Sequence, residues 1–320
     1  MTGRGGWRAL ALAVSLVPAA AATAAPAQPA EPAFLGEVIS ETRVLYPLLV
    51  GGWLAESEQR YAEQRLGVSV RYADNRKQRW IDLYFYPAGV QTAQALALFA
   101  GSERDSIAEA ARQSGRGVEM GVLEPFTLAA AAPAAGDARE VGAWRLGLQY
   151  PDDALASAML LFPHGLYLVK ARASAAQPPA TVGSLQRELE AFMASVAGQL
   201  RIVNTGTCWL PARVDLAATL PPVDAGEVLA SYREPGREPS AVVVGDRVLV
   251  AQAEAARAPL LAEQLAGSLY PGCVAPEAIE PDVPPALREI RIEYRRPVDA
   301  DAPSRGPRIG RPRSPVSGTG

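Results

Sequence analysis

Apolar and polar residues alternate along residues 68–72 and 81–85, and a polar turn at residues 74–78 lies between them. This period of two is typical of strands, because successive side chains of a strand point to opposite faces. The two runs therefore predict a β-hairpin whose apolar side chains share one face: Val68, Val70, Tyr72, Ile81, Leu83 and Phe85.

Helical spacing is clearest at residues 184–200, where apolar residues recur with a period of about 3.6. Their positions predict one buried stripe, formed by Leu185, Leu189, Phe192, Met193, Val196 and Leu200. Residues 92–113 also predict helix, with a break at Gly101 where Ser102 would cap a second helix.

Four further segments complete the pattern of the first two thirds of the chain. Residues 141–150 predict a strand with Trp144, Leu146, Leu148 and Tyr150 on one face. Other strands are predicted at residues 118–123, 158–162 and 166–172, with an alanine-rich loop at 129–136. Residues 34–53 fit both helical and strand spacing, so their pattern assigns them to neither.

The last third of the chain predicts a smaller unit. Residues 241–244 and 247–251 flank Gly245-Asp246, a strong hairpin signal, and are followed by a predicted helix at 259–269 and strand at 288–294. The order of elements predicts an α+β protein. An antiparallel sheet with packed helices would occupy residues 34–203, and a smaller α+β unit residues 204–296.

The strand and helix order of residues 34–200 resembles that of the MOG1/PsbP-type α+β domains, which occur in several exported proteins. The resemblance is one of topology. It implies the fold and brings no functional residues with it.

The first 25 residues have the pattern of a secretory signal peptide. Arg4 and Arg8 precede an apolar run at 9–17, and small residues at 22–25 supply an A-x-A-like cleavage site. Residues 26–33 predict an extended tether. Lysine stands only at Lys77 and Lys170, a bias that a GC-rich genome produces. Export from such a genome predicts a periplasmic protein, with an extracellular destination as the alternative.

Charge and composition narrow the partners. The formal net charge is -3, and loss of Arg4 and Arg8 with the signal brings it to -5, which argues against nucleic acid. No later segment is long and apolar enough to predict a membrane span. Residues 297–320 predict a disordered tail that is solvated and makes no specific contact. The alternative is that its arginines contact anionic polymers by charge alone: Arg305, Arg308, Arg311 and Arg313.

The chain lacks the residues of common hydrolases. His164 is its single histidine and is predicted to face water at the turn between two strands. No G-x-S-x-G elbow is present, and a metal site of the H-E-x-x-H kind needs two histidines. Carboxylate-based hydrolysis stays open, with acids in two loops: Asp152, Asp153, Glu277, Glu280 and Asp282. We expect no catalytic residue, metal or cofactor.

The two cysteines predict a disulfide. Cys208 and Cys273 form an even pair in a chain with an export signal, and oxidising compartments favour disulfides. The bridge would hold the smaller unit together. The alternative is a redox-active or metal-binding thiol pair, which usually has the closer C-x-x-C spacing.

One surface has the side chains of a binding face. Trp80, Tyr84 and Tyr86 alternate with the apolar side chains of the hairpin, so they share its opposite face, where a peptide or glycan would bind. The alternative is that a helix covers them. The sequence thus predicts a non-enzymatic binding or envelope-assembly protein, whose partner is another envelope protein or a surface polymer. A carboxylate-based envelope hydrolase and a secreted binder of anionic or glycan polymers are the alternatives.

Overall fold

The computed structural model describes residues 38–74, 79–130, 139–208 and 213–294. The predicted signal peptide, the tether at 26–33 and the tail at 297–320 lie outside these residues. The chain divides into a unit of Met1–Pro32, outside the described residues, and a unit of Ala33–Gly320. All that follows concerns the second unit.

Three helices and sixteen strands lie in the described ranges. They are β1 Ile39–Pro47, β2 Leu49–Val50, β3 Trp53–Arg60, β4 Val68–Asp74, β5 Arg79–Pro87, α1 Ala93–Gln113, β6 Glu119–Met120, β7 Glu124–Ala130, β8 Arg139–Tyr150, β9 Leu155–His164, β10 Tyr167–Ala176, α2 Val182–Gln199, β11 Arg201–Gly206, β12 Arg213–Ala217, β13 Val228–Tyr232, β14 Ala241–Val244, β15 Arg247–Ala251, α3 Ala258–Leu269 and β16 Leu287–Glu293.

The largest sheet has nine antiparallel strands. Their order is β2-β3-β4-β5-β10-β9-β8-β6, and β7 also pairs with β8. The predicted hairpin is confirmed as β4 and β5, and all six of its inward apolar side chains are buried. The predicted α+β class, with helices packed on an antiparallel sheet, is therefore what the structure shows.

Helix α2 packs on the inner face of this sheet. The predicted stripe is buried, and Phe192 meets Tyr72 edge-on with 5.0 Å between ring centroids. Thr181 caps the helix, because its hydroxyl accepts the backbone N–H of Ser184 while the Ser184 hydroxyl accepts that of Thr181. The helix predicted at 184–200 is confirmed.

Helix α1 packs on the opposite face, and its predicted break is wrong. It runs unbroken from its Thr92 cap, and Gly101 lies inside it. A glycine costs about 1 kcal/mol in a helix interior. Burial of one face against the sheet offsets that cost, through Leu96, Ala100, Ile107 and Ala111.

The region between α1 and β8 differs most from its prediction. Only Glu119–Met120 forms a strand where residues 118–123 were expected, and β7 lies at Glu124–Ala130, where none was predicted. Strand β8 is twelve residues long and pairs with β7 along its first half. Both β6 and β7 pair with the long strand β8, and this pairing sets their positions because their own sequence patterns are weak.

A second sheet joins distant parts of the chain in the order β11-β1-β16. Its residues meet the main sheet through a buried hydrogen-bond network. Tyr167 donates to Thr42, Thr42 donates to Asn204, both over 2.7 Å, and the Tyr167 and Tyr294 hydroxyls also bond. The last predicted strand is confirmed as β16. The division into domains near residue 204 stays a prediction.

A third sheet has the order β12-β15-β14-β13, with α3 packed against it. The predicted hairpin around Gly245-Asp246 and the helix predicted at 259–269 are both confirmed. The inward side chains of the hairpin are Ala241, Val243, Val248 and Val250, and all are buried. Within the described residues no helix is long and apolar enough to cross a membrane.

Candidate functional site

The outer face of strands β4, β5 and β10 carries an exposed aromatic side chain, Trp80, beside several charged side chains. Helix α1 contacts β8 and β9 on this face, which leaves β4 and β5 accessible beside it. Cross-strand pairing sets Arg71 and Arg172 on either side of Asp82, and Lys170 opposite Tyr84. We call this the open sheet face and define it by Arg71, Trp80, Asp82, Tyr84, Lys170 and Arg172.

Trp80 and Arg71 form the outer part of this face. The Trp80 side chain is 41% exposed, and the Arg71 guanidinium lies 5.8 Å from its ring centroid. Arg71 also donates twice to the Asp82 carboxylate, over 2.6 and 2.9 Å. Such a bidentate pair holds both side chains in one geometry. The result is a fixed aromatic and polar surface in contact with solvent.

Lys170 lies deeper, where α1 borders the face. Its ammonium group donates to Glu103 of α1 over 2.6 Å and lies 4.6 and 5.0 Å from the Tyr84 and Tyr86 ring centroids. Burial lowers the pKa of Lys170, and the Glu103 carboxylate opposes that shift. Burial also raises the pKa of Tyr84 to about 12. This cation is compensated by an acid and two rings, as a structural lysine is.

Arg172 differs from its neighbours in its partners. Its Nη2 donates to the Tyr150 hydroxyl over 2.5 Å, and its Nε donates to the Ser157 hydroxyl over 3.4 Å. Both acceptors are neutral. The guanidinium is half-buried, and the Asp82 carboxylate, which lies opposite it across the strand pair, is held by Arg71.

The predicted aromatic face is therefore only partly accessible. Trp80 is exposed, but Tyr86 packs against Phe99 of α1, with 5.9 Å between the ring centroids. Tyr84 stacks on Tyr86 at 5.9 Å with nearly parallel rings. A helix covers the inner end of the aromatic row and leaves the outer end open. The binding role of the three residues stays a prediction.

The charged residues of the face were not predicted from the sequence. A signal was present, because Lys170 and Arg172 alternate with Val169 and Ala171 on a predicted strand. Two cations on one side of a strand indicate a polar face. Their meeting with Glu103 and Asp82 depends on the packing of α1 and on the register of β5, which no local pattern contains.

A cavity of about 240 Å³ lies on another part of the unit, beside His164. His164 is the last residue of β9 and is half-buried, whereas the sequence predicted a solvated turn. None of the lining residues is a nucleophile or an acid. They are Ala130, Val141, Pro163, His164, Gly165, Ala197, Ile202, Pro271 and Gly272.

Comparisons with known proteins add little to this geometry. No family model matches the chain, and no curated protein matches it. A solved structure, the solution structure of cyanobacterial PsbP (CyanoP) from Synechocystis sp. PCC 6803, is similar at 11% identity. The match covers 52% of this chain and 94% of that one, with a TM-score of 0.32. At this identity and TM-score, we assign no property of that protein to this chain.

The acids singled out in the sequence lie apart from the open sheet face and the cavity lining. Asp152 and Asp153 are exposed in a short 3-10 turn after β8, and Asp153 pairs with Arg116 over 2.7 Å. Glu277, Glu280 and Asp282 are exposed in the segment before β16. Among the described residues no three histidine, cysteine or acidic side chains cluster as a metal site would require.

The predicted disulfide joins Cys208 to Cys273, with 6.1 Å between their Cα atoms. It links the end of β11 to the segment that follows α3. The backbone reinforces this link, because Asn204 donates to the Gly272 carbonyl and accepts from Val274. Both cysteines are in the bridge, which leaves no thiol for redox or metal chemistry. Arg305, Arg308, Arg311 and Arg313 lie outside the described residues.

Proposed function

We propose that this protein is an exported, non-enzymatic binding protein whose ligand lies on the open sheet face. The observation that carries the proposal is the exposure of Trp80 and Arg71, 41% and 52% of their side chains, beside half-buried cations on a rigid sheet. Aromatic and arginine side chains dominate the energetics of binding surfaces. Sites built on strands hold such groups in fixed positions.

Export supports this setting. The signal-like pattern of residues 1–25 and the Cys208–Cys273 bridge are both typical of proteins in oxidising compartments. The periplasm is the compartment that we propose. A ligand there is a chain or polymer of the envelope, since the open sheet face is a broad surface that suits an extended molecule.

The hydrolase alternative has less support. Hydrolysis by carboxylates requires two acids on either side of one bond. Asp82 belongs to the open sheet face and Glu103 borders it, and each is held by a cation, Arg71 and Lys170 respectively. A binding role is compatible with both ion pairs, because it does not require either acid to be free.

Removal of the exposed aromatic side chain tests the proposal. Full-length W80A is titrated with poly-L-glutamate, polyphosphate and dextran, and binding is measured by calorimetry. We expect a polymer of this set to bind the wild type and to bind W80A about tenfold more weakly. The control is L260A, which removes a half-exposed leucine from α3 and leaves affinity unchanged. Equal binding by W80A and the wild type, or no binding of any polymer, would overturn the proposal.

A further inference from the structure

Arg172 has an incomplete set of hydrogen bonds on the open sheet face. An arginine has five N–H donors. Two groups of the protein accept from Arg172, the hydroxyls of Tyr150 and Ser157, and its Nη1 atom has no partner among the described residues. The Nη1 atom is not among the buried unpaired polar atoms either, so it keeps some contact with solvent. One edge of the guanidinium is therefore available to a ligand.

Neighbouring cations of this region each have an acid. Arg71 pairs with Asp82, Lys170 with Glu103 and Arg116 with Asp153, at distances of 2.6, 2.6 and 2.7 Å. Arg172 forms no such ion pair within the part of the chain that the structure describes. Asp82 lies opposite Arg172 across the strand pair, but both of its oxygens accept from Arg71. A negative group from outside the chain would complete the hydrogen bonds of the Arg172 guanidinium.

The local charge balance selects the kind of anion. Arg71, Lys170 and Arg172 face Asp82 and Glu103, and a third acid, Glu56, also acts on Arg71, so the charges of the face balance. A carboxylate carries one negative charge and fits the planar fork of an arginine. A phosphate ester carries up to two negative charges and would leave the larger excess beside Asp82. The acids already present therefore favour a carboxylate over a phosphate.

We infer that Arg172 binds a carboxylate of an acidic chain that crosses the open sheet face, an inference that rests on the proposed function. The Tyr150 and Ser157 hydroxyls hold the guanidinium from one side, so its free edge has a fixed direction. Trp80 lies on the neighbouring strand, two residues before Asp82. Asp82 is opposite Arg172 and Trp80 is opposite Ser174, so Trp80 is diagonal to Arg172 on the same face. Ring and guanidinium would contact the same stretch of chain.

The experiment titrates full-length protein with poly-L-glutamate at low salt. We expect R172Q to bind at least about tenfold more weakly than the wild type, because a hydrogen bond between charged groups is lost. R187Q is the matched control, since Arg187 is exposed on α2, on the other side of the sheet, and its affinity should stay within about twofold. R172K keeps the charge and loses the fork, so an intermediate affinity is expected.

Each other outcome has a defined meaning. If R172Q does not fold, R172K carries the test, and wild-type affinity in R172K overturns the inference. Tighter, Arg172-dependent binding of polyphosphate, or no binding of poly-L-glutamate to the wild type, also overturns it. If W80A weakens binding and R172Q does not, the inference about Arg172 fails while the proposed function stands. If neither variant changes affinity, both fail.

Discussion

Arg43 and Arg172 show that arginine has two different roles in this protein. The side chains of Arg43 and Glu289 are only 4% and 11% exposed, and their charged groups meet at 2.6 Å between β1 and β16. Arg43 also donates to the carbonyl of Glu280. Its charge is thus paired within the fold, whereas Arg172 forms no ion pair among the described residues. Loss of the Arg43 pair should cost stability, and loss of the Arg172 charge should cost binding.

The Glu289 carboxylate gives a pH-dependent prediction. The hydrogen bond from Arg43 lowers the pKa of Glu289, and a second arginine, Arg291, acts in the same direction. A lowered pKa in the folded state stabilises the fold above the ordinary pKa of glutamate, about 4.3, and this contribution is lost as pH falls through the lowered value. E289Q should lower the free energy of unfolding by about 3 kcal/mol at pH 7. Its difference from the wild type should shrink at pH 3.

Urea unfolding at the two pH values measures this difference. E293Q is the control, because Glu293 is exposed on the same strand, and we expect a change below about 0.5 kcal/mol. A cost for E289Q that is the same at pH 3 and pH 7 would show that the pair does not act through its charge.

Two glycines show how backbone conformation shapes the elements around the open sheet face. Gly67 precedes β4 with a φ of +59°, and a Cβ at this position would lie 1.9 Å from the Phe85 carbonyl oxygen of β5. The start of the β4–β5 pair therefore requires glycine. Gly101 lies inside α1, and a Cβ there would meet nothing within 4 Å. That position has room for alanine.

The two positions should respond to alanine in opposite directions. G67A should destabilise the protein by about 1–3 kcal/mol, because the residue is left-handed and the added carbon meets backbone. G101A should stabilise it by about 0.5–1 kcal/mol, because alanine is the better helix former. Denaturant midpoints of both variants, measured beside the wild type, give the comparison. Destabilisation by G101A would mean that α1 needs its glycine, as the predicted break implied.

Elements with a strong local pattern could be predicted from the sequence. The hairpin of β4 and β5 and the stripe of α2 each carry a clear period, and they fold as that period indicates. Strands β1, β3, β7, β11, β12 and β13 were not predicted. Strand β1 shows the reason, since it is buried over most of its length and so lacks alternation. Its structure depends on β11 and β16, far away in the sequence.

The period of two also predicts part of the candidate site. Period two placed Trp80, Tyr84 and Tyr86 on one face, and the structure agrees on their direction. Their exposure depends on where α1 lies, because Phe99 covers Tyr86. The charged part of the face depends on the pairing of β5 with β10, which sets Arg172 opposite Asp82. Such tertiary pairings are absent from any one segment.

The disulfide ties the third sheet region to the rest of the unit. Cys208 and Cys273 are 65 residues apart, and they close a loop that contains β12–β15 and α3. In the unfolded chain such a cross-link removes conformational freedom, which the chain-entropy model values at about 4 kcal/mol for a loop of this length. The bridge therefore contributes a large part of the stability expected of a protein this size.

Replacement of both cysteines tests that contribution. C208A/C273A should lose about 4 kcal/mol of unfolding free energy relative to the oxidised wild type, as measured by urea denaturation. Reduction of the wild type should produce the same loss, and reductant should leave the double variant unchanged, because the chain has only these two cysteines. Equal stability of the oxidised wild type and the double variant would show that the loop is held by its other contacts.

The sheet that joins β1 to β11 and β16 sets the time at which this protein can finish folding. Thr42 meets a partner 162 residues later, and Arg43 meets one 246 residues later. A chain emerging from the ribosome, or from an export channel, presents β1 before β11, and β11 before β16. Closing loops of this length is slow and entropically costly. Strand β1 therefore gains its first strand partner only when β11 has been delivered, and its second only when β16 has been delivered.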